Sequence, residues 1–178
     1  EFHPYPYQQF CIQHIIDHPV AGLFVDMGMG KTVMTLTAFN YLKYYAWQIQ
    51  RCLVIAPKKV AEATWRTEIS GWQHLRHLRC SEVLGTATQR RAAMAVDADI
   101  YVTNRDNVQW LVKEYGKAWP FDMVVLDESS SFKNHQAKRF KALRSMRPKI
   151  KRIVELTGTP SPHGLMDLWA QVYLLDGG

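Results

Sequence analysis

The 178-residue chain contains no apolar run near the ~18 residues that a membrane-crossing helix needs, and no secretory signal opens it. It has only three cysteines, Cys11, Cys52 and Cys80, odd in number and far apart. Their spacing fits neither a metal site nor a redox pair, which excludes a disulfide framework and points to free thiols in a reducing, intracellular compartment. Internal repeats, low-complexity tracts and linkers are absent too. One domain with a real core is therefore expected, and 47% apolar with 21% charged residues is ordinary for such a chain. The first residue is Glu1 rather than Met and the last residues are "LLDGG". The chain is expected to be a piece of a longer protein.

Acids are missing from one stretch. Between Lys133 and Arg152 stand nine cations (Lys133, Lys138, Arg139, Lys141, Arg144, Arg147, Lys149, Lys151, Arg152) and no Asp or Glu. The whole chain carries +6, so the remainder is net acidic. Such a local patch fits a polyanion partner, or a solvated helix face.

What is present is an alternation. Apolar, β-rich runs lie at Leu23–Asp26, Cys52–Ala56, Ile100–Thr103, Met123–Leu126 and Ile153–Leu156, with a weaker one at Cys80–Leu84. Helical patterns lie between them. Lys31 to Tyr45 has no Gly or Pro. Ala61–Trp72 places Ala61, Trp65, Ile69 and Trp72 on one face. Asp106–Tyr115 has Val108, Leu111, Val112 and Tyr115 in register, with Asp106 as cap and Gly116 as stop. Leu165–Leu175 aligns Leu165, Leu168, Trp169 and Val172. Strands apolar on both faces, alternating with helices, predict an α/β three-layer sandwich around a mainly parallel sheet. Ligands in such folds bind at the carboxyl ends of the strands.

The candidate chemistry falls at those ends. "VDMGMGKT" (25–32) follows the first strand and opens a helix. Gly28 and Gly30 free backbone N–H groups to face an anion at the helix N-terminus. Lys31 would reach the β- and γ-phosphates and the Thr32 hydroxyl would hold Mg²⁺. The strict G-x-x-x-x-G-K-[ST] pattern fails at Val25, but Gly30-Lys31-Thr32 fits it. "VVLDESS" (124–130) ends a strand in two acids. Asp127 would hold Mg²⁺ and Glu128 would activate water. "ELTGTPSP" (155–162) places hydroxyls at another strand end, able to sense phosphate. Lys58, Lys59, Thr103, Asn104 and Arg105 end two further strands and suit sugar–phosphate contacts. Gln8 has a side-chain amide able to pair with an adenine edge.

In order, Tyr7-Gln8, "DMGMGKT", "LVIAPKKV…W…E…W", "YVTN", "DESS" and "LTGTPSP…GLMDLWAQVYLL" resemble the first lobe of superfamily 2 helicase-like ATPases. The resemblance covers nearly the whole chain and is strongest to the Swi/Snf-type branch of duplex-DNA translocases. "DESS" departs from the Asp-Glu-x-His of many relatives, and the short form suggests compact bacterial or phage-type members. The resemblance implies a RecA-like P-loop fold, with residues 1–178 as the ATP-binding lobe and a second RecA-like lobe outside this chain. It implies ATP and Mg²⁺ as cofactors. Tyr7, Gln8, Met27, Gly28, Met29, Gly30, Lys31 and Thr32 would bind the nucleotide, with Gln8 on adenine and Thr32 and Asp127 on the metal. Lys31, Asp127 and Glu128 would be catalytic. Thr157, Gly158 and Thr159 would couple ATP state to DNA, whose backbone Pro57, Lys58, Thr103 and Asn104 would touch. The missing lobe carries the arginine finger in such proteins, so this chain alone is expected to bind nucleotide and turn it over poorly.

Two other readings compete. A small-molecule kinase would want a lid and an acceptor pocket and would leave "LTGTP" a coincidence. A stand-alone nucleic-acid binding or annealing module would use the fold without turnover. The six tryptophans could stack on bases, but three of them (Trp65, Trp72, Trp169) lie on helical faces and are expected to pack in the core or at a lobe interface.

Overall fold

A computed structural model of the protein describes residues 1–26, 28–128 and 137–158. Met27, Ser129, Ser130, Lys133, Thr159 and the helix expected at 165–175 lie outside the described residues. Six strands, β1 (Val20–Phe24), β2 (Cys52–Ala56), β3 (Cys80–Val83), β4 (Ile100–Asn104), β5 (Met123–Asp127) and β6 (Arg152–Thr157), form one sheet. Its order is β1-β6-β5-β2-β4-β3 and every pairing is parallel. Among the described residues the α-helices are α1 (Pro6–Asp17), α2 (Lys31–Tyr44), α3 (Lys58–Gly71), α4 (Ala87–Ala95), α5 (Val108–Tyr115) and α6 (Ala137–Ser145). The described residues form the α/β architecture around a parallel sheet that the alternating pattern implied.

The apolar runs are fully buried where the sheet is covered twice. All five residues of β2 and all five of β5 are buried. Alternate residues feed two cores. Val54, Val102, Val125, Val154 and Leu156 pack with α1, α2 and α3 around Ile15, Met34, Phe39 and Trp65. Leu53, Tyr101, Val124, Leu126 and Ile153 pack on the other face with α5 and α6 through Leu111 and Leu143. α2 is sunk so deeply that eight of its residues are buried. Two of its threonines return their hydroxyls to the helix's own carbonyls, Thr35 to Lys31 and Thr37 to Val33, both at 2.7 Å.

The first strand sits earlier than the apolar run suggested. Pairing runs from Val20↔Ile153 to Phe24↔Thr157, and Val25 and Asp26 already belong to the loop. Val25 N–H still donates to Thr157 C=O at 3.1 Å, which pins the loop's start to β6. α3 begins at Lys58, a turn before the Ala61 start read from its apolar face. Asp106 does not cap α5. It lies in a 3₁₀ turn over Arg105–Asn107, and its carboxylate accepts from Arg139.

Two buried carboxylates differ in how they are served. At the amino end of the sheet, burial alone would raise the pKa of Asp99. The backbone N–H of Arg79 (2.7 Å), the Lys43 ammonium and the Tyr44 hydroxyl (2.9 Å) outweigh that and hold it low. Glu155 in the middle of β6 is fully buried, and neither of its carboxylate oxygens has a hydrogen-bond partner among the described residues. Desolvation pushes its pKa from 4.5 up to about 8. A folded-state pKa above the unfolded one means Glu155 favours the fold fully below pH 4.5 and progressively less up to pH 8. The loss is up to about 1.4 kcal/mol per pH unit. Glu155→Leu is expected to be more stable than the parent at pH 8 and to lose the decline between pH 5 and 8 that the parent shows in urea melts. Equal pH dependence of the two proteins would contradict this.

Candidate functional site

The loop after β1 turns back on two glycines. Gly28 and Gly30 have φ of +84° and +83°, in the left-handed region that a side chain resists. Gly30 is the N-cap of α2 and has no room to spare, since a Cβ there would lie 2.7 Å from Gln8 Nε2. α1 closes over the loop from above. Tyr7 OH donates to Met29 C=O at 3.0 Å, Gln8 Nε2 donates to the same oxygen at 3.3 Å, and Gln8 Oε1 accepts from Tyr5 N–H at 3.0 Å. Gln8 thus braces the glycine loop, a task the sequence did not reveal.

Lys31 and Thr32 open α2, and β5 brings its terminal acids to them. Lys31 Nζ is 3.1 Å from Asp127 Oδ1 and hydrogen-bonds Glu128 Oε1. Burial alone would lower the Lys31 pKa; the bond to Glu128 and the charge of Asp127 outweigh it, so the ammonium is raised and firmly charged. Asp127 is buried. Its Oδ2 accepts from the indole Nε1 of Trp65 at 3.1 Å. That bond was missed, because the helical spacing of Trp65 reads as plain core. Glu128 follows with φ +58°, a left-handed conformation rare outside glycine. Arg105 Nη2 donates to the carbonyls of Asp127 (3.3 Å) and Glu128 (2.7 Å).

These groups share a cavity of about 660 Å³ lined by Tyr7, Gln8, Gly30, Lys31, Thr32 and Glu128 among others. Its size suits a nucleotide. An ammonium at a helix N-terminus behind two left-handed glycines suits its phosphates, and an adjoining Thr hydroxyl and carboxylate suit a hard cation. The residues present therefore fit a nucleotide with Mg²⁺.

The other candidates divide. Thr157 ends β6 one strand from Asp127 (Asp127↔Leu156), is nearly buried, and its hydroxyl has no partner among the described residues. Gly158 follows it, half-buried. Pro57, Lys58 and Asn104 line a second cavity, of about 270 Å³, at the ends of β2 and β4. Thr103 does not join them. It is fully buried, and its hydroxyl donates to Val83 C=O at 2.8 Å, tying β4 to β3. The basic stretch is also divided. Arg147, Lys149 and Arg152 donate to backbone carbonyls of their own lobe, while Arg139 turns into the second cavity. Among the described residues no helix is long and apolar enough to cross a membrane, and no group of three or more His, Cys, Asp or Glu forms a metal cluster.

A parallel sheet with a glycine loop after β1 and paired acids after β5 defines a RecA-like lobe. Residues 7–177 match the SNF2-related domain, and the chain belongs to that family. It is 41% identical over 183 residues to protein p41 of Acyrthosiphon pisum secondary endosymbiont phage 1, covering 99% of this chain and 40% of that one. It is 28% identical to the mouse SWI/SNF-related matrix-associated actin-dependent regulator of chromatin subfamily A member 1, over 90% of this chain and 15% of the relative. A structure titled Sulfolobus solfataricus SWI2/SNF2 ATPase core in complex with dsDNA superposes with a TM-score of 0.81 at 28% identity, covering 99% of this chain and 36% of the other. The chain thus spans less than half the length of each of these relatives.

The Trp65–Asp127 bond can be tested apart from any activity. Trp65→Phe keeps an aromatic side chain but loses the indole N–H donor to a buried carboxylate and some packing volume, and should cost at least about 1–3 kcal/mol in urea denaturation. Trp72→Phe removes a bond to Glu68 at the partly exposed end of α3 and should cost less. Equal costs would show that Trp65 serves packing alone.

Proposed function

We propose that this chain is the ATP-binding motor lobe of a DNA-dependent ATPase of the helicase or translocase type. The observation that carries this reading is the meeting of Lys31 with Asp127 and Glu128 on the wall of a nucleotide-sized cavity. The Lys31 ammonium lies against the two acids. A triphosphate offers it charged oxygens, and Lys31 exchanges the carboxylates for phosphate. Asp127, steadied by Trp65, and Thr32 would hold Mg²⁺. When bound, that ion supplies charge neutralisation across the phosphates. Glu128, released from Lys31, is then placed to orient a water and take its proton. Tyr7 and Gln8 keep the loop shaped for phosphate and put polar and aromatic groups where adenine would lie. Thr157 and Gly158, with Thr159 beyond the described residues, stand beside the acids and would report the phosphate's presence.

Duplex DNA, gripped by its backbone, is the proposed track. The Sulfolobus core in complex with dsDNA supports it. A second RecA-like lobe of the same protein would complete the site with an arginine, a contribution of about 10³–10⁵ in rate. A motor on DNA works inside the cell. The relatives named above give no support to a module that binds without turnover.

Lys31→Ala should weaken ATP binding at least about 10-fold, since a charge-assisted phosphate contact is lost. Glu128→Gln should retain binding and lose whatever hydrolysis the chain has. Labelled-nucleotide fluorescence and phosphate release, with and without duplex DNA, read both. Unchanged affinity in Lys31→Ala would sink the reading. Brisk DNA-stimulated turnover lost in Glu128→Gln would keep the ATPase and remove the need for the second lobe.

A further inference from the structure

The second cavity lies beside the acids and shares a residue with them. Its lining includes Lys58, Arg105 and Arg139 with a single acid, Asp106, so it is cationic. α3, 14 residues long, begins there at Pro57 and Lys58, and its N-terminus adds favourable potential for an anion. Asn104 also lines it. Its buried Oδ1 has no hydrogen-bond partner among the described residues.

Arg105 reaches both ways. It stands in the cationic cavity, and its Nη2 donates to the carbonyls of Asp127 and Glu128. The residue it holds is under constraint. Glu128 and Trp47 are the non-glycine residues with positive φ among those described. A left-handed glutamate persists only where its surroundings fix it, and the guanidinium on its carbonyl is one such fixture. The side chain of the same Glu128 is bound to Lys31, the residue that nucleotide phosphate needs.

Resting on the reading of the chain as a DNA-dependent ATPase lobe, we propose that Arg105 is a positioning residue linking phosphate in the Lys58–Asn104–Arg139 cavity to the backbone of Glu128. A nucleic-acid phosphate is a charged acceptor and outcompetes neutral carbonyls for a guanidinium. As Arg105 turns toward it, Glu128 loses a bond that holds it left-handed and its grip on Lys31 loosens. Lys31 can then turn to the triphosphate, and the Glu128 carboxylate toward a water. DNA and ATP therefore favour each other's binding, and linkage makes the effect reciprocal.

The test titrates labelled ATP with Mg²⁺ into this chain, with and without a saturating short DNA duplex, and titrates the duplex with and without ATP. The parent chain is expected to show the same enhancement, about 5-fold or more, in both directions. Arg105→Lys keeps a cation in the cavity but loses the planar fork. It should bind the duplex more weakly than the parent yet still to saturation, melt near the parent temperature, and show an enhancement close to one at saturating duplex. Arg105→Ala should lose the enhancement and part of the duplex affinity; if it does not fold, Arg105→Lys decides. Lys58→Ala, with no contact to the acids, should weaken duplex binding yet keep the enhancement at saturation. Full enhancement in Arg105→Lys overturns the proposal, as does its loss in Lys58→Ala. A parent chain that binds both ligands independently also overturns it while leaving the ATPase-lobe reading intact. A parent that binds neither removes that reading and the proposal with it.

Discussion

The ion cluster of Lys31 with Asp127 and Glu128 is the constraint on which the rest depends. It joins the start of α2 to the end of β5 across the intervening strand β6. Three charges in so enclosed a place are costly unless each is answered. The protein answers them from several sides: Trp65 on Asp127, Arg105 on the carbonyls of both acids, and the two acids on the lysine. Each supporting residue comes from a different element. The site is therefore tied to several parts of the fold at once.

The sheet makes that convergence possible. With every strand parallel, all carboxyl ends reach one edge, and each chain segment that turns into a helix does so there. Burial on both faces fixes the register, since a one-residue slip would exchange the two cores. The amino edge has a structural task. Asp99 gathers Lys43, Tyr44 and Arg79 and locks the end of α2 to the strands behind it. One edge satisfies its buried acid with protein partners, and the other gathers its charges at the candidate site.

Much of this was legible in the amino-acid order. Strands β2, β4 and β5 announce themselves because burial on both faces leaves uninterrupted apolar runs, and "GKT" and "DE" mark their own positions at strand ends. β1 was misplaced because its edge position exposes Phe24, while the apolar Val25 belongs to the loop. α1 carries Pro6 at its first position and Gln8 two residues on, and α4 opens with Thr86 and Gln89 exchanging bonds; both are start signals that a search for apolar periodicity passes over. Thr103 looked like a surface contact because a hydroxyl at a strand end often is one, and only the neighbouring β3 carbonyl shows otherwise. The double task of Arg105 depends on a contact to residues 22 and 23 positions away, which no local pattern encodes.

α1 has a further meaning. Its first turn carries Tyr7 and Gln8 against the glycine loop, and its last carbonyls, those of Ile15 and Ile16, are held by Arg152 at the start of β6. The helix is a strut fastened at both ends, running from one edge of the sheet to the other. A shortened protein that began at β1 would keep Gly28 to Thr32 and both acids, yet its glycine loop would have no roof. Such a version would satisfy any motif search and still carry a slack glycine loop, so the working boundary of this lobe lies ahead of its first recognisable strand.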